Sequence, residues 1–180
     1  AALAVDALRE HFADDSLVVP LDDAVVEAGT ELAAEQIEVQ AMVDAATLLG
    51  ELLPWESRFD QIESLNQQLF EWFRERVAAE QWESAIELYQ ALAAIADGEP
   101  RVEDFSNELF TSAADSIKSH VAEGDLNRAE TIRVTLFNAF GQDARVQALQ
   151  DVLVTEAVAA AEAAAESGEA ADAGQTLGWL

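Results

Sequence analysis

The chain has 180 residues, of which 36 are acidic and nine are basic, and its formal net charge at pH 7 is −27. A negative field of this size repels nucleic acid and anionic membrane surfaces, so we expect neither as a partner. Two interpretations of the charge stay open: a solvated acidic surface that keeps the protein soluble in salt, or a surface that attracts a basic partner. The chain contains no cysteine, which excludes disulfides, thiol catalysis and thiolate metal sites.

The composition favours helix almost throughout. Alanine occupies 36 positions, and only three prolines and eight glycines interrupt the chain, so we predict an all-α protein without sheet. No apolar run approaches the roughly 20 residues that span a bilayer, and we expect no membrane insertion. The sequence starts at Ala1 rather than Met. We therefore expect a piece of a longer, processed protein, with a periplasmic or other extracytoplasmic location slightly favoured over a cytoplasmic one.

The first part of the chain predicts an entry helix followed by a short helical hairpin. Residues 1–12 place apolar side chains near one helical face. The two helices of the first hairpin are predicted at 21–36 and 37–52. The predicted domain boundaries are accordingly 1–20 for the entry helix and its loop and 21–180 for a helical-repeat domain.

Three further hairpins are predicted after Pro54, because apolar residues recur there with the 3-and-4 spacing of an amphipathic helix. Four aromatic residues of this region fall on the same apolar stripe and are expected in the core rather than in a ligand cage. They are Trp72, Phe73, Trp82 and Tyr89.

A unit of 44 residues recurs along the chain. It is clearest at three turns between helices, which begin at Glu80, Gly124 and Gly168, each 44 residues after the one before. Such a period predicts an α-solenoid of stacked antiparallel helical hairpins, about four in number, with the last one truncated. A similarity between 33–36 and 78–81, at a spacing of 45, indicates a shorter and divergent first repeat.

The loops between hairpins recur as well. Gly98 and Gly141 are predicted to end their helices in the left-handed conformation. Arg101 and Arg145 lie 44 residues apart, three and four residues after these glycines. We expect both arginines to lie near the last carbonyls of the preceding helix and to stabilise its end.

The stretch 80–89 (EQWESAIELY) resembles the second half of a tetratricopeptide repeat, in which a small residue precedes an aromatic, an Ala-hydrophobic pair and a second aromatic. The stretches 124–129 and 168–173 look like the same element, and the resemblance covers about residues 66–180. It implies tetratricopeptide-like hairpins with a groove that binds a protein or peptide. The period of 44 exceeds the roughly 34 residues of that family, so we expect hairpins with lengthened helices rather than true members.

The resemblance also implies that the first helix of each repeat lines the groove. Arg74 and Lys118 lie 44 residues apart, and Lys118 is the only lysine of the chain. A partner's carboxylate is one possible bridge between them, and pairing with acids on their own helices is the alternative. Trp179 is expected at an interface, such as docking of a flanking domain at the C-terminal end. The predicted partner-binding residues are Gln67, Phe70, Arg74, Thr111, Lys118 and Trp179.

No motif for catalysis or cofactor binding occurs. The sequence has no phosphate loop, metal-binding His-Glu helix, calcium loop or serine nucleophile elbow. The two histidines, His11 and His120, are too far apart to predict a metal centre, and we expect no metal, cofactor or enzymatic activity. The leading hypothesis is a non-catalytic protein-interaction scaffold. The alternative is a structural spacer or assembly subunit without a groove ligand.

Overall fold

The computed structural model describes residues 18–53, 56, 60–96 and 98–179. Within these residues the chain forms eight α-helices and no strand, which confirms the all-α prediction. The predicted entry helix at 1–12 and Trp55 lie outside the described residues. The helices are α1 (Val18–Glu38), α2 (Met42–Leu52), α3 (Asp60–Ala78), α4 (Trp82–Ala96), α5 (Pro100–Ala122), α6 (Leu126–Phe140), α7 (Ala144–Glu166) and α8 (Ala170–Trp179).

Two helix lengths recur in the second half of the chain, although α3 differs, with 19 residues. Helices α5 and α7 each have 23 residues, and α4 and α6 each have 15. Helices α2 and α8 are shorter, with 11 and 10 residues. Among the described residues, none of the helices combines the length and the hydropathy that crossing a bilayer requires.

Four turns between helices share one backbone geometry. In each turn a residue with positive φ donates its amide hydrogen to the carbonyl three residues earlier, and the next residue donates to the carbonyl five residues earlier. This pair of bonds satisfies carbonyls that a helix end leaves without partners. The residues with positive φ are Gln40, Glu80, Gly124 and Gly168.

The first of these turns lies later than the sequence predicted. Helix α1 continues to Glu38 and α2 begins at Met42, whereas the predicted boundary fell between Gln36 and Ile37. The left-handed residue is Gln40, with φ of 60°, so no glycine marks the turn in the sequence. The following turn therefore comes 40 residues after it, and the alignment of 33–36 with 78–81 was wrong.

The chain divides into two compact units, and the first comprises Ala1–Glu75 and Glu87–Phe105. Helix α1 packs on α2. They approach closely at Gly29, where a Cβ atom would lie 2.9 Å from Leu52 Cδ1. An aromatic cluster forms the centre of the core, since the Phe105 ring lies 4.8 Å from the rings of both Phe70 and Phe73 in edge-on geometry.

The second unit comprises Arg76–Ile86 and Ser106–Leu180. Helix α6 packs on α7, and α7 packs on α8. Three alanines at the 44-residue spacing are buried in this unit, namely Ala85, Ala129 and Ala173. The unit also buries larger side chains, including Leu109, Ile117, Ile132, Leu136 and Leu153.

Candidate partner-binding clefts

A cleft of about 470 Å³ lies between residues of α3 and the start of α5 in the first unit, and we call it the Arg101 cleft. Two of the predicted partner-binding residues, Gln67 and Phe70, line it. Phe70 is half-buried, and Gln67 is exposed. The full lining is Leu53, Glu56, Glu63, Gln67, Phe70, Glu99, Pro100, Arg101 and Asp104.

The Arg101 cleft is acidic. Its lining contains four carboxylates and one guanidinium. The guanidinium is paired, because Arg101 Nη2 lies 2.6 Å from Glu56 Oε1. The same oxygen accepts a hydrogen bond of 3.2 Å from Nδ2 of the buried Asn66. Arg74, another predicted residue, places its Cζ atom 5.9 Å from the centre of the Phe70 ring.

A second cleft, of about 360 Å³, lies in the second unit between residues of α5 and α7, and we call it the Arg145 cleft. It contains the predicted residues Thr111 and Lys118. Phe110 and Leu149 are buried apolar residues of its lining. The full lining is Asn107, Phe110, Thr111, Ala114, Asp115, Lys118, Arg145, Ala148, Leu149 and Val152.

Contacts on several sides fix the position of Arg145. Its Nε and Nη2 atoms donate to the Asp143 carboxylate at 3.0 and 2.6 Å, and Nη1 donates to the hydroxyl of the buried Ser106. The Cζ atom lies 4.5 Å from the centre of the Phe110 ring, within cation–π range. These contacts hold the guanidinium over the aromatic wall of the cleft.

Asp143 is the N-cap of α7 as well as the partner of Arg145. Its Oδ1 atom accepts the Arg145 backbone amide at 2.8 Å. Hydrogen bonds from the Arg145 side chain and then from its amide favour the charged carboxylate, and they lower the Asp143 pKa to about 2. The carboxylate therefore stays charged well below neutral pH.

The two arginines have carboxylate partners. Arg101 pairs with Glu56 and Arg145 pairs with Asp143, whereas the sequence predicted that both arginines act on helix-end carbonyls. Glu56 precedes Arg101 by 45 residues, so its pairing depends on the fold rather than on local sequence. Gly98 and Gly141, the predicted helix ends, do have positive φ values of 83° and 61°.

Five residues that line the Arg101 cleft lie 44 positions before residues that line the Arg145 cleft. One of the five pairs keeps its arginine, two pairs change a polar or aromatic side chain to a smaller one, and two pairs change an acid to a neutral residue. The matched pairs are Arg101 with Arg145, Gln67 with Thr111, Phe70 with Ala114, Glu63 with Asn107, and Asp104 with Ala148. The clefts therefore occupy equivalent positions in the period but differ in charge.

The remaining predicted residues lie as follows. Arg74 belongs to the first unit and Lys118 to the second. Lys118 Nζ lies 3.2 Å from Asp115 Oδ1 on its own helix, which agrees with the alternative prediction for this residue. Trp179 is half-buried at the last residue of α8, and Leu177 beside it is 56% exposed.

The structure also brings together a network that sequence reasoning missed. The carboxylate of Glu80 lies 2.6 Å from Nε2 of the buried His120 and accepts from Arg128 Nε at 2.9 Å. Glu80 does so with φ of 56°, in the turn position that Gly124 and Gly168 occupy elsewhere. A glutamate at a glycine position was the signal that could have identified it.

No cluster of three or more potential metal ligands occurs among the residues that the structure describes. No family model matches the chain, and comparisons with curated proteins and with solved structures find no significant match.

Proposed function

We propose that this chain is a non-catalytic protein-interaction scaffold, built as a tetratricopeptide-like α-solenoid of about four stacked hairpins. The proposed partner is a protein or peptide that binds at the Arg101 and Arg145 clefts. One observation carries the proposal: two clefts recur at the same positions of a 44-residue period. A repeating binding surface is typical of solenoids, because each repeat presents the same face.

Backbone geometry supports the repeat. The turns at Glu80, Gly124 and Gly168 share the same pair of hydrogen bonds at 44-residue intervals. The equal lengths of α5 and α7, and of α4 and α6, fit the same period. These features favour successive copies of one hairpin over eight unrelated helices.

The lining of the clefts supports binding of a peptide. Each cleft combines apolar or aromatic surface with a few charged and amide or hydroxyl groups, which is the composition typical of binding pockets. Gln67 and Thr111 are exposed at equivalent positions, where side chains contribute to recognition without contributing to the core.

Site-specific photo-crosslinking in extracts of the source cells tests the proposal. A benzophenone amino acid at Gln67 or Thr111 should crosslink a protein partner. The matched controls carry the same group at Glu87 and Asn138, exposed positions on α4 and α6 that line neither cleft. Crosslinks of equal yield from all four positions would contradict binding of a partner at the two clefts. Absence of crosslinks from Gln67 and Thr111 would contradict it as well.

The second candidate function is a structural spacer whose ends dock onto flanking domains or further copies. It is favoured by the apolar side chains at the end of α8, where Leu177 is 56% exposed and Trp179, two residues later, is half-buried. The same photo-crosslinker at Leu177 separates the two functions. Crosslinks confined to Leu177 would support the spacer and reject the scaffold.

A further inference from the structure

We propose that the Arg145 cleft binds an extended acidic segment within the partner protein, with a partner carboxylate near Lys118 and Arg145 and an aliphatic side chain against the aliphatic part of the lining. This inference deepens the proposed scaffold function and rests on it. It assigns an acidic ligand to the less acidic of two clefts whose linings share positions 44 residues apart.

The charge contrast between the clefts carries the inference. The lining of the Arg145 cleft has two cations and one carboxylate, and Asp143 pairs with Arg145 from outside the lining, whereas the Arg101 cleft has one cation and four carboxylates. The acids Glu63 and Asp104 of the first cleft correspond to the neutral Asn107 and Ala148 of the second. The chain has 36 acids and nine bases. The Arg145 cleft nevertheless has neutral residues where the Arg101 cleft has two acids, and it has an arginine at the position matched to Arg101.

Both cations line the cleft, and each has an acidic neighbour. The ammonium of Lys118 has three N–H donors, and Asp115 lies at 3.2 Å from it. Arg145 is held over Phe110 by Asp143 and Ser106. A guanidinium fixed in this way loses little conformational entropy when a ligand binds.

The net charge of the protein does not prevent such binding. At 0.15 M salt the Debye length is about 8 Å, so exposed charges farther from the ligand are largely screened. The groups that line the cleft then dominate the interaction with a bound carboxylate. Asp143 and Asp115 reduce the positive charge of the cleft, and we expect moderate rather than high affinity.

The length of the cleft favours a segment within a chain. Asn107 and Lys118 both line it, and their separation along α5 corresponds to about 16 Å at 1.5 Å per residue. An extended peptide covers that distance with about five residues. Leu149 and Val152 add aliphatic surface to the lining, so a segment that alternates acidic and aliphatic residues matches it.

Fluorescence polarisation with the whole chain at 0.15 M NaCl tests the inference. The probes are fluorescein-labelled, C-terminally amidated octapeptides that alternate Asp or Glu with Leu or Val. Their controls replace the acids by Asn and Gln, or by Lys. We expect the acidic probes to bind at least about tenfold more tightly than either control set, as charge-assisted contacts of about 1.4 kcal/mol predict.

A pair of substitutions tests the site without touching its cations. Asn107→Glu with Ala148→Asp installs the acids of the Arg101 cleft at two exposed positions and should weaken the acidic probes at least about tenfold. Asn127→Asp with Asn138→Glu adds the same charge at exposed positions of α6 and should change affinity less than about twofold. Circular dichroism melts verify that both variants fold.

The outcomes separate the two proposals. Equal binding of acidic and amide probes, or equal weakening by both double variants, overturns the acidic-segment inference. A second set of the acidic probes carries a free C-terminal carboxylate, and binding by this set alone would show that the cleft binds a peptide terminus rather than a segment within a chain. Crosslinks from Thr111 together with any of these results leave the scaffold function standing, whereas absence of crosslinks from Gln67 and Thr111 overturns the scaffold itself.

Discussion

Glu80 combines backbone strain with a network of side-chain contacts. A non-glycine residue in the left-handed region costs about 1–2 kcal/mol, and Glu80 has φ of 56°. Its carboxylate contacts His120 and Arg128, which belong to the end of α5 and the start of α6. These contacts offset the strain and tie the turn to both helices.

Two substitutions of Glu80 separate the cost of its left-handed backbone from the contribution of its side-chain contacts. Glu80→Gln keeps the strain and removes the charge, and we expect a loss of about 1–2 kcal/mol in the free energy of unfolding, since hydrogen bonds to charged groups contribute about that much. Glu80→Gly also removes the carboxylate but relieves the strain, so its loss should be smaller. Urea unfolding measures both. A glycine variant less stable than the glutamine variant would show that the strain is negligible.

Asp143 makes the stability of the second unit depend on pH. Its folded-state pKa, about 2, lies below the ordinary carboxyl value, so its contribution is fully present above pH ~4 and is lost as the pH falls towards 2. Asp143→Asn keeps an N-cap side chain but removes the charge. We expect the variant to melt below the parent at pH 6 and the difference to shrink between pH 4 and 2. A difference independent of pH would contradict the ion pair.

At the scale of elements, the turn glycines and a helical glycine should respond oppositely to the same substitution. Gly124 and Gly168 have φ of 80° and 86°, and alanine there should cost about 1 kcal/mol. Gly174 lies within α8, and a Cβ atom there meets nothing within 4 Å, so Gly174→Ala should stabilise by up to about 1 kcal/mol. Thermal melts of the three variants check the signs. Equal effects at all three positions would contradict the assigned turns.

Helix positions could be predicted wherever glycine or an apolar stripe marks them, but not otherwise. The turns at Gly124 and Gly168 were found from the sequence. The turn at Gln40 was misplaced because helix-favouring residues run through it and no glycine marks the left-handed position. The side-chain pairs of Glu80 and Arg101 depend on residues 40 or more positions away, and local pattern carries no information on such contacts.

Some cleft residues could likewise be predicted from the local sequence, whereas others depend on packing. The resemblance grouped Gln67 with Phe70, and Thr111 with Lys118, and each pair lines one cleft because it lies on one face of a helix. Arg74, grouped with the first pair, is not in the lining of its cleft. Arg145 was assigned to a helix end, and its place in a cleft follows from the packing of α7. The charge difference between the clefts becomes visible only when both linings are known.

At the scale of the whole molecule, the high net charge should make the melting temperature depend on salt concentration. A charge of −27 makes the compact state repel itself. Ions screen this repulsion over about 10 Å at 0.1 M, so the melting temperature should rise between 10 mM and 500 mM NaCl. Sucrose at equal osmolality serves as the control for solute effects other than screening. A melting temperature that is constant or falls with NaCl would show that local ion pairs compensate the charge.

The only lysine of the chain has a practical consequence for chemistry on the intact protein. Lys118 lines the Arg145 cleft, and its side chain is 48% exposed. Apart from the α-amino group, an amine-reactive dye therefore has one attachment point on the polypeptide, and that point lies at the proposed binding surface. Conjugation at pH 8.5 would report occupancy of the cleft directly, because a bound segment would shield the ammonium and slow its acylation.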